Sequence, residues 1–115
     1  MIYHMLPAAD WAATPAEAPY RAASLQSEGF IHCSGDHATV LAVGNNFYRH
    51  LPGDWLILAI DEDAVAAPVQ WDAVEDTHFP HIYGPLNRSA VVEVIAFPRA
   101  ADGAFEMPTA WQALP

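Results

Sequence analysis

The sequence predicts an α+β fold: a small split sheet of mixed or antiparallel strands with two main helices. Three observations carry this. Trp55-Leu56-Ile57-Leu58-Ala59-Ile60 is a continuous apolar run between Pro52-Gly53 and Asp61-Glu62-Asp63, as expected of a buried central strand. Val40, Leu41, Gly44, Phe47, Tyr48 and Leu51 recur at spacings of three and four, as on one face of a helix. Strand-like and helix-like segments do not alternate strictly along the chain, which indicates α+β.

Taken in order, Ile2 to Leu6 reads as a short strand that Pro7 ends, and Ala8 to Ala13 as one helical turn. Pro19 to Glu28 reads as a helix, because Pro19 suits a first turn and Gly29 is placed for the stop. Phe30 to Ser34 is a compact strand. Asp36 caps the longer helix, which Pro52-Gly53 closes. Val69 to Val74 alternates as a strand does, and Ala90 to Phe97 is a further apolar strand interrupted by Glu93, expected to face solvent on an edge. Phe105 to Met107 adds an edge strand before a short tail around Trp111. His78 to Asn87, bracketed by Pro80 and Pro85, reads as a stiff loop.

The chain has 115 residues, the length of one domain, and a net charge of −10. Its four basic residues are all arginine: Arg21, Arg49, Arg88 and Arg99. Without lysine there is no Schiff base and no Walker-type phosphate loop. Four scattered arginines on an acidic chain repel polyanions, so nucleic acid and anionic membranes are unexpected partners. The single Cys33 has no intramolecular partner, which makes a reducing cytoplasm the default. Met1-Ile2-Tyr3-His4 does not read as a signal peptide, and no window reaches the ~18 uninterrupted apolar residues of a membrane span.

Three segments gather the unusual side chains: Tyr3-His4, Glu28 to Ser34, and His78 to Asn87. Strand alternation puts Phe30, His32 and Ser34 on one face, with Ile31 and Cys33 on the other. His32 then reads as a hydrogen-bonded histidine at a sheet edge or as a site residue, and His4 has the same two readings. Cys33 faces away from His32, so it reads as a small buried hydrophobe. His78-x-x-His81 has a spacing seen in metal-ligand pairs, but one cysteine, no second pair and no H-E-x-x-H helix leave a metal-dependent hydrolase as an alternative only. Ser34 lacks a nucleophile elbow.

Together these motifs resemble a known family. Ile2-Tyr3-His4, Ser24-Leu25, Glu28 through Ser34, Asn45-Asn46-Phe47-Tyr48, Leu56 to Asp61, Phe79 through Leu86 and Ala90 to Val94 resemble the small bacterial family catalogued as domain of unknown function 952. That family is in turn similar to the ADP-ribosyltransferase-like superfamily. The resemblance implies NAD, or a related nucleotide, held in a cleft between two small sheets. It assigns catalytic roles to His4 on the first strand, His32 on the second and Tyr83 at the third position, with Glu93 a poorer third choice. His4, His32, Ser34, His81 and Tyr83 form the implied nucleotide-binding set. Tyr3-His4-Met5 lacks the glycine and hydroxyl residue that follow the histidine in many relatives, and no glutamate stands at the third position. Arg21 and Arg88 are the arginines offered to a diphosphate. The alternative on the same fold is a non-catalytic module for a small metabolite or a protein partner.

Overall fold

The computed structural model describes residues 1–112. Among these described residues, six strands form two antiparallel three-stranded sheets. The first has the order β1 (Ile2–Pro7), β3 (Trp55–Ile60), β6 (Val91–Phe97), and the second β2 (Ile31–His32), β5 (Thr77–Ile82), β4 (Val69–Val74). The helices are short: α1 (Ala8–Ala13), α2 (Ala23–Ser27) and α3 (His37–Val43). This is the α+β split-sheet class expected, and every sheet pairing is antiparallel. Among the described residues no helix is long and apolar enough to cross a membrane.

The apolar run of β3 is explained by cover on both faces. Leu58 and Ile60 pack with Ile2, Leu6, Ile31 and Ile82 in the core between the sheets. Ile57 and Ala59 point the other way, into a second core with Met5, Val40, Phe97 and Phe105. A strand buried on both faces loses the polar–apolar alternation of a half-exposed one. Glu93 is exposed on the edge strand β6, as expected. The sheets are tied where Tyr3 and Ser34 exchange both backbone hydrogen bonds, at 2.9 and 2.7 Å.

Several elements differ from the sequence expectation. The helix expected over Pro19–Glu28 covers only Ala23–Ser27, because the backbone of Tyr20 pairs with that of Leu86 instead. Its end is as expected: Gly29, at φ +89°, donates its N–H to the carbonyls of Ser24 and Leu25. Asp36 caps α3 by accepting from the Thr39 N–H at 2.7 Å. Beyond Val43 the helix widens into a π-helical segment, Gly44–Tyr48. The wider turn breaks the 3.6-residue repeat, so Val40 and Gly44 are buried while Phe47 is 63 % exposed. Phe105 makes only an isolated bridge to Arg99, and its buried ring serves the second core.

The largest correction concerns His78 to Asn87. It is not a loop throughout: Thr77–Ile82 is β5, the middle strand of the second sheet, with Pro80 inside it. A proline there is tolerated because of its register. Its carbonyl accepts from Cys33 N–H, toward β2, and its missing N–H would face the same way. The β2–β5 ladder therefore ends at this point, and Ser34 turns to pair with β1.

Candidate functional site

The outer face of the second sheet carries the unusual side chains. Ile31 pairs with Ile82 and His32 with His81. Since neighbouring residues alternate in direction, the isoleucines enter the core and the histidines stand together outside it. Their ring centroids lie 5.3 Å apart at 82°. Phe30 stacks on His81 at 4.1 Å and 18°, and Tyr83 lies 5.3 Å from Phe30.

Each histidine is held by a carboxylate. His81 Nδ1–H donates to Asp72 Oδ2 at 2.8 Å, and the Tyr83 hydroxyl donates to the same oxygen. His32 Nε2–H donates to Glu28 Oε2 at 2.9 Å, from a residue just after α2. The two differ in cover: His81 is 5 % exposed, whereas the His32 side chain is 48 % exposed. The hydrogen bonds from Tyr83 and then His81 hold the Asp72 carboxyl below its usual range. The same bond raises the Tyr83 hydroxyl above its ordinary value.

With Nδ1 committed to Asp72, a neutral His81 presents an acceptor lone pair at Nε2. Among the described residues nothing hydrogen-bonds that nitrogen, and it keeps contact with solvent. A histidine oriented through one nitrogen by a carboxylate and open at the other is the arrangement that general acid–base chemistry uses.

The remaining site candidates lie elsewhere. His4 was expected to line one cleft with His32 and Tyr83, but it is 7 % exposed and sits under β2 with both ring nitrogens engaged. The His32 carbonyl can only accept, so His4 Nδ1 carries the proton and donates to it at 2.6 Å. His4 Nε2 then accepts from the Tyr20 hydroxyl at 3.2 Å. Burial pushes its pKa down to about 4. Ser34 is buried at the bridge that joins the sheets. Cys33 is buried, and burial pushes its thiol up, in keeping with a small core residue.

His78 is exposed, and three residues along a strand put it on the face opposite His81. The pair that would converge on a helix diverges here, and among the described residues no three His, Cys, Asp or Glu side chains are grouped to hold a metal ion. Arg88 is also occupied: it bonds the Thr14 and Ala18 carbonyls and lies 4.2 Å over the Trp11 ring. Sequence reasoning missed Asp72 and Glu28 as partners. Asp72 had a weak signal, as the acidic residue of an alternating strand; its meeting with His81 depends on a hairpin register.

A second aromatic group lies near the start of α3. The Tyr3 hydroxyl is 3.0 Å from His37 Nε2, and Trp111 stacks on His37 at 3.8 Å. It borders a shallow concavity of about 440 Å³. Tyr3 and His37 satisfy each other there, so this group offers less free polar chemistry than the His32–His81 face.

Residues 5–94 match the family model described as "Protein of unknown function (DUF952)". The chain belongs to the DUF952 family. The DUF952 chain is also similar to solved structures of protein CC0527 from Caulobacter crescentus. The crystal structure is 27 % identical, with a TM-score of 0.79, covering 91 % of this chain and 92 % of that one. The solution NMR structure is 28 % identical, with a TM-score of 0.72 and coverages of 89 % and 88 %. No curated protein matches this DUF952 chain.

Proposed function

We propose that this DUF952 protein binds NAD or a related nucleotide through its ring on the His32–His81 face, and catalyses an ADP-ribosyltransferase-like glycosidic transfer there. The observation that supports this reading is the pair of carboxylate-held histidines, 5.3 Å apart beside the flat faces of Phe30 and Tyr83. The donor set fits the nicotinamide end of such a ligand. Aromatic faces stack on a heterocycle, and His81 Nε2 accepts from a carboxamide or a ribose hydroxyl. Asp72 and Glu28 supply negative charge where a cationic sugar develops, in place of the glutamate missing at the third position. NAD would supply the chemistry of a ring-to-ribose bond that breaks to leave neutral nicotinamide.

The chain's own residues then divide the work. His81 holds the ligand's N–H or O–H at Nε2, and Asp72 fixes the ring through Nδ1. Tyr83 positions Asp72 rather than meeting the ring as a base. His32 is held by Glu28 through Nε2, which leaves its Nδ1 uncommitted. His4 acts from beneath, by fixing the His32 carbonyl.

NAD titration followed by histidine ring NMR tests the binding. The His32 and His81 signals are expected to shift while His4 stays still; no movement of either at millimolar NAD overturns the proposal. A non-catalytic binding module on the same face is the second reading, favoured by the Phe30 stack that covers His81. Sustained nicotinamide release that disappears in His81→Ala excludes it.

A further inference from the structure

The charge of the His32–His81 face says which part of a ligand it recognises. Its two hydrogen-bonded carboxylates, Glu28 and Asp72, are anions, and the half-buried rings of Phe30 and Tyr83 lie beside them. No guanidinium contacts this group among the described residues. Arg49 pairs with Asp102 at 2.7 Å. Arg99 is spent on the carbonyls of Arg49, Leu51, Gly53 and Gly103, and Arg88 on those of Thr14 and Ala18. Arg21 is exposed before the first turn of α2, at the opposite end of that helix from Glu28. The chain has no lysine.

A second observation points to a ligand here. His81 is 5 % exposed, yet its Nε2 has no protein partner and still meets solvent. A largely buried ring with one nitrogen fixed leaves the other as an uncommitted acceptor for a donor from outside. Anions beside aromatic faces favour a positively charged planar group, through Coulomb attraction and cation–π contact. The same anions repel phosphate.

The geometry points to a site that selects a cationic, N–H- or O–H-bearing planar ring of the N-alkylpyridinium type, and that recognises such a ligand without any contribution from phosphate. This inference rests on the proposed ring-binding function and narrows it: the charged ring is held, and the diphosphate of a dinucleotide stays in solvent.

Two ligand pairs test it on the full chain at pH 8, with affinities read from the His32 and His81 ring signals. The first pair is 1-methylnicotinamide, a cation, against neutral nicotinamide. The cation is expected to bind roughly three- to tenfold more tightly at low salt, the size expected of a solvent-screened charge contact plus a cation–π contact. The preference should shrink in 300 mM NaCl. Glu28→Gln keeps a hydrogen-bonding group at an exposed position and removes its charge; it should cut the preference by about half or more. The second pair is nicotinamide riboside against its 5′-phosphate, where the phosphate should leave affinity unchanged or weaken it. Equal binding of cation and neutral ring, or tighter binding through the phosphate, overturns this inference and leaves ring binding standing. If none of the four probes moves either histidine, ring binding itself falls and this inference with it.

Discussion

His32 and His81 are direct cross-strand partners, and each is gripped by a different carboxylate. The pairing register supplies the proximity, and the two acids supply the orientation. Glu28 belongs to the end of α2 and Asp72 to β4, so the face is assembled from elements on both sides of β2 and β5. One carboxylate oxygen, Asp72 Oδ2, serves both His81 and Tyr83.

That shared oxygen gives a titration prediction. The Tyr83 hydroxyl bond is the largest cause of the depressed Asp72 pKa, with the His81 bond second. Tyr83→Phe removes the first and keeps the second. The Asp72 carboxyl should therefore titrate higher than in wild type and still below its ordinary value. A depressed carboxylate pKa means stability that is present above the unfolded value and lost as pH falls through the folded one. The variant should lose less stability over that acid range. Carboxyl carbon shifts followed against pH check this, and an unchanged Asp72 midpoint would show that Tyr83 does not position the acid.

His4 gives a second pH dependence, of opposite chemical origin. Its folded pKa is about 4, against 6.5 for the unperturbed group, because burial penalises the charged ring. Below pH 6.5 the unfolded chain takes up a proton that the folded chain refuses, so stability falls as pH drops from about 6.5 toward 4. The gap corresponds to about 3 kcal/mol over that window. His4→Leu should flatten this slope. At pH 7 it should also cost roughly 2–3 kcal/mol, by leaving the His32 carbonyl and the Tyr20 hydroxyl without their partner. Urea unfolding at several pH values measures both effects; a wild-type profile flat between pH 6.5 and 4 would rule out a buried neutral His4.

Local signals were legible in the sequence and long-range ones were not. The β3 run, the Asp36 cap and the Gly29 stop each depend on residues within a few positions, and each stands where the pattern put it. The helix expected from Pro19 failed because Tyr20 pairs with Leu86, far along the chain. The strand β5 was hidden because Pro80 and two histidines look like loop chemistry. Only the end of the β2 ladder beside Pro80 makes that proline compatible with a central strand. For the site, alternation correctly put Phe30 and His32 on one face. The partnership of Asp72 with His81 needed the Gln70–His81 register, which no local pattern encodes.

Two glycines separate backbone strain from crowding. Gly29 has φ +89° and open space where a Cβ would go. Gly29→Ala should cost about 1 kcal/mol, the conformational penalty alone. Gly103 has φ +93°, and a Cβ there would lie 2.8 Å from the Arg49 carbonyl oxygen, which also accepts from Arg99. Gly103→Ala should cost about 2 kcal/mol or more, since strain and a backbone clash add. Chemical denaturation of the two variants side by side gives the ranking, and a Gly29→Ala cost equal to or above that of Gly103→Ala would contradict it.

Phe30 covers one face of the His81 ring. Its ring stacks 4.1 Å from the imidazole in a nearly parallel arrangement, and the imidazole is 5 % exposed although Nε2 is chemically free. Phe30→Ala removes that cover while leaving the Asp72 bond in place. The loss of a half-buried aromatic contact should cost about 1–3 kcal/mol of stability, which leaves the fold measurable. Carbethoxylation by diethylpyrocarbonate reads the free nitrogen directly, because it consumes an accessible imidazole lone pair. The His81 rate should rise several-fold in Phe30→Ala, whereas the His32 ring, already half exposed, should react at a similar rate in both proteins. Phe30→Leu, which keeps an apolar cover, should stay near the wild-type rate. Equal His81 rates in wild type and Phe30→Ala would mean that the Phe30 stack does not limit the reactivity of the ring.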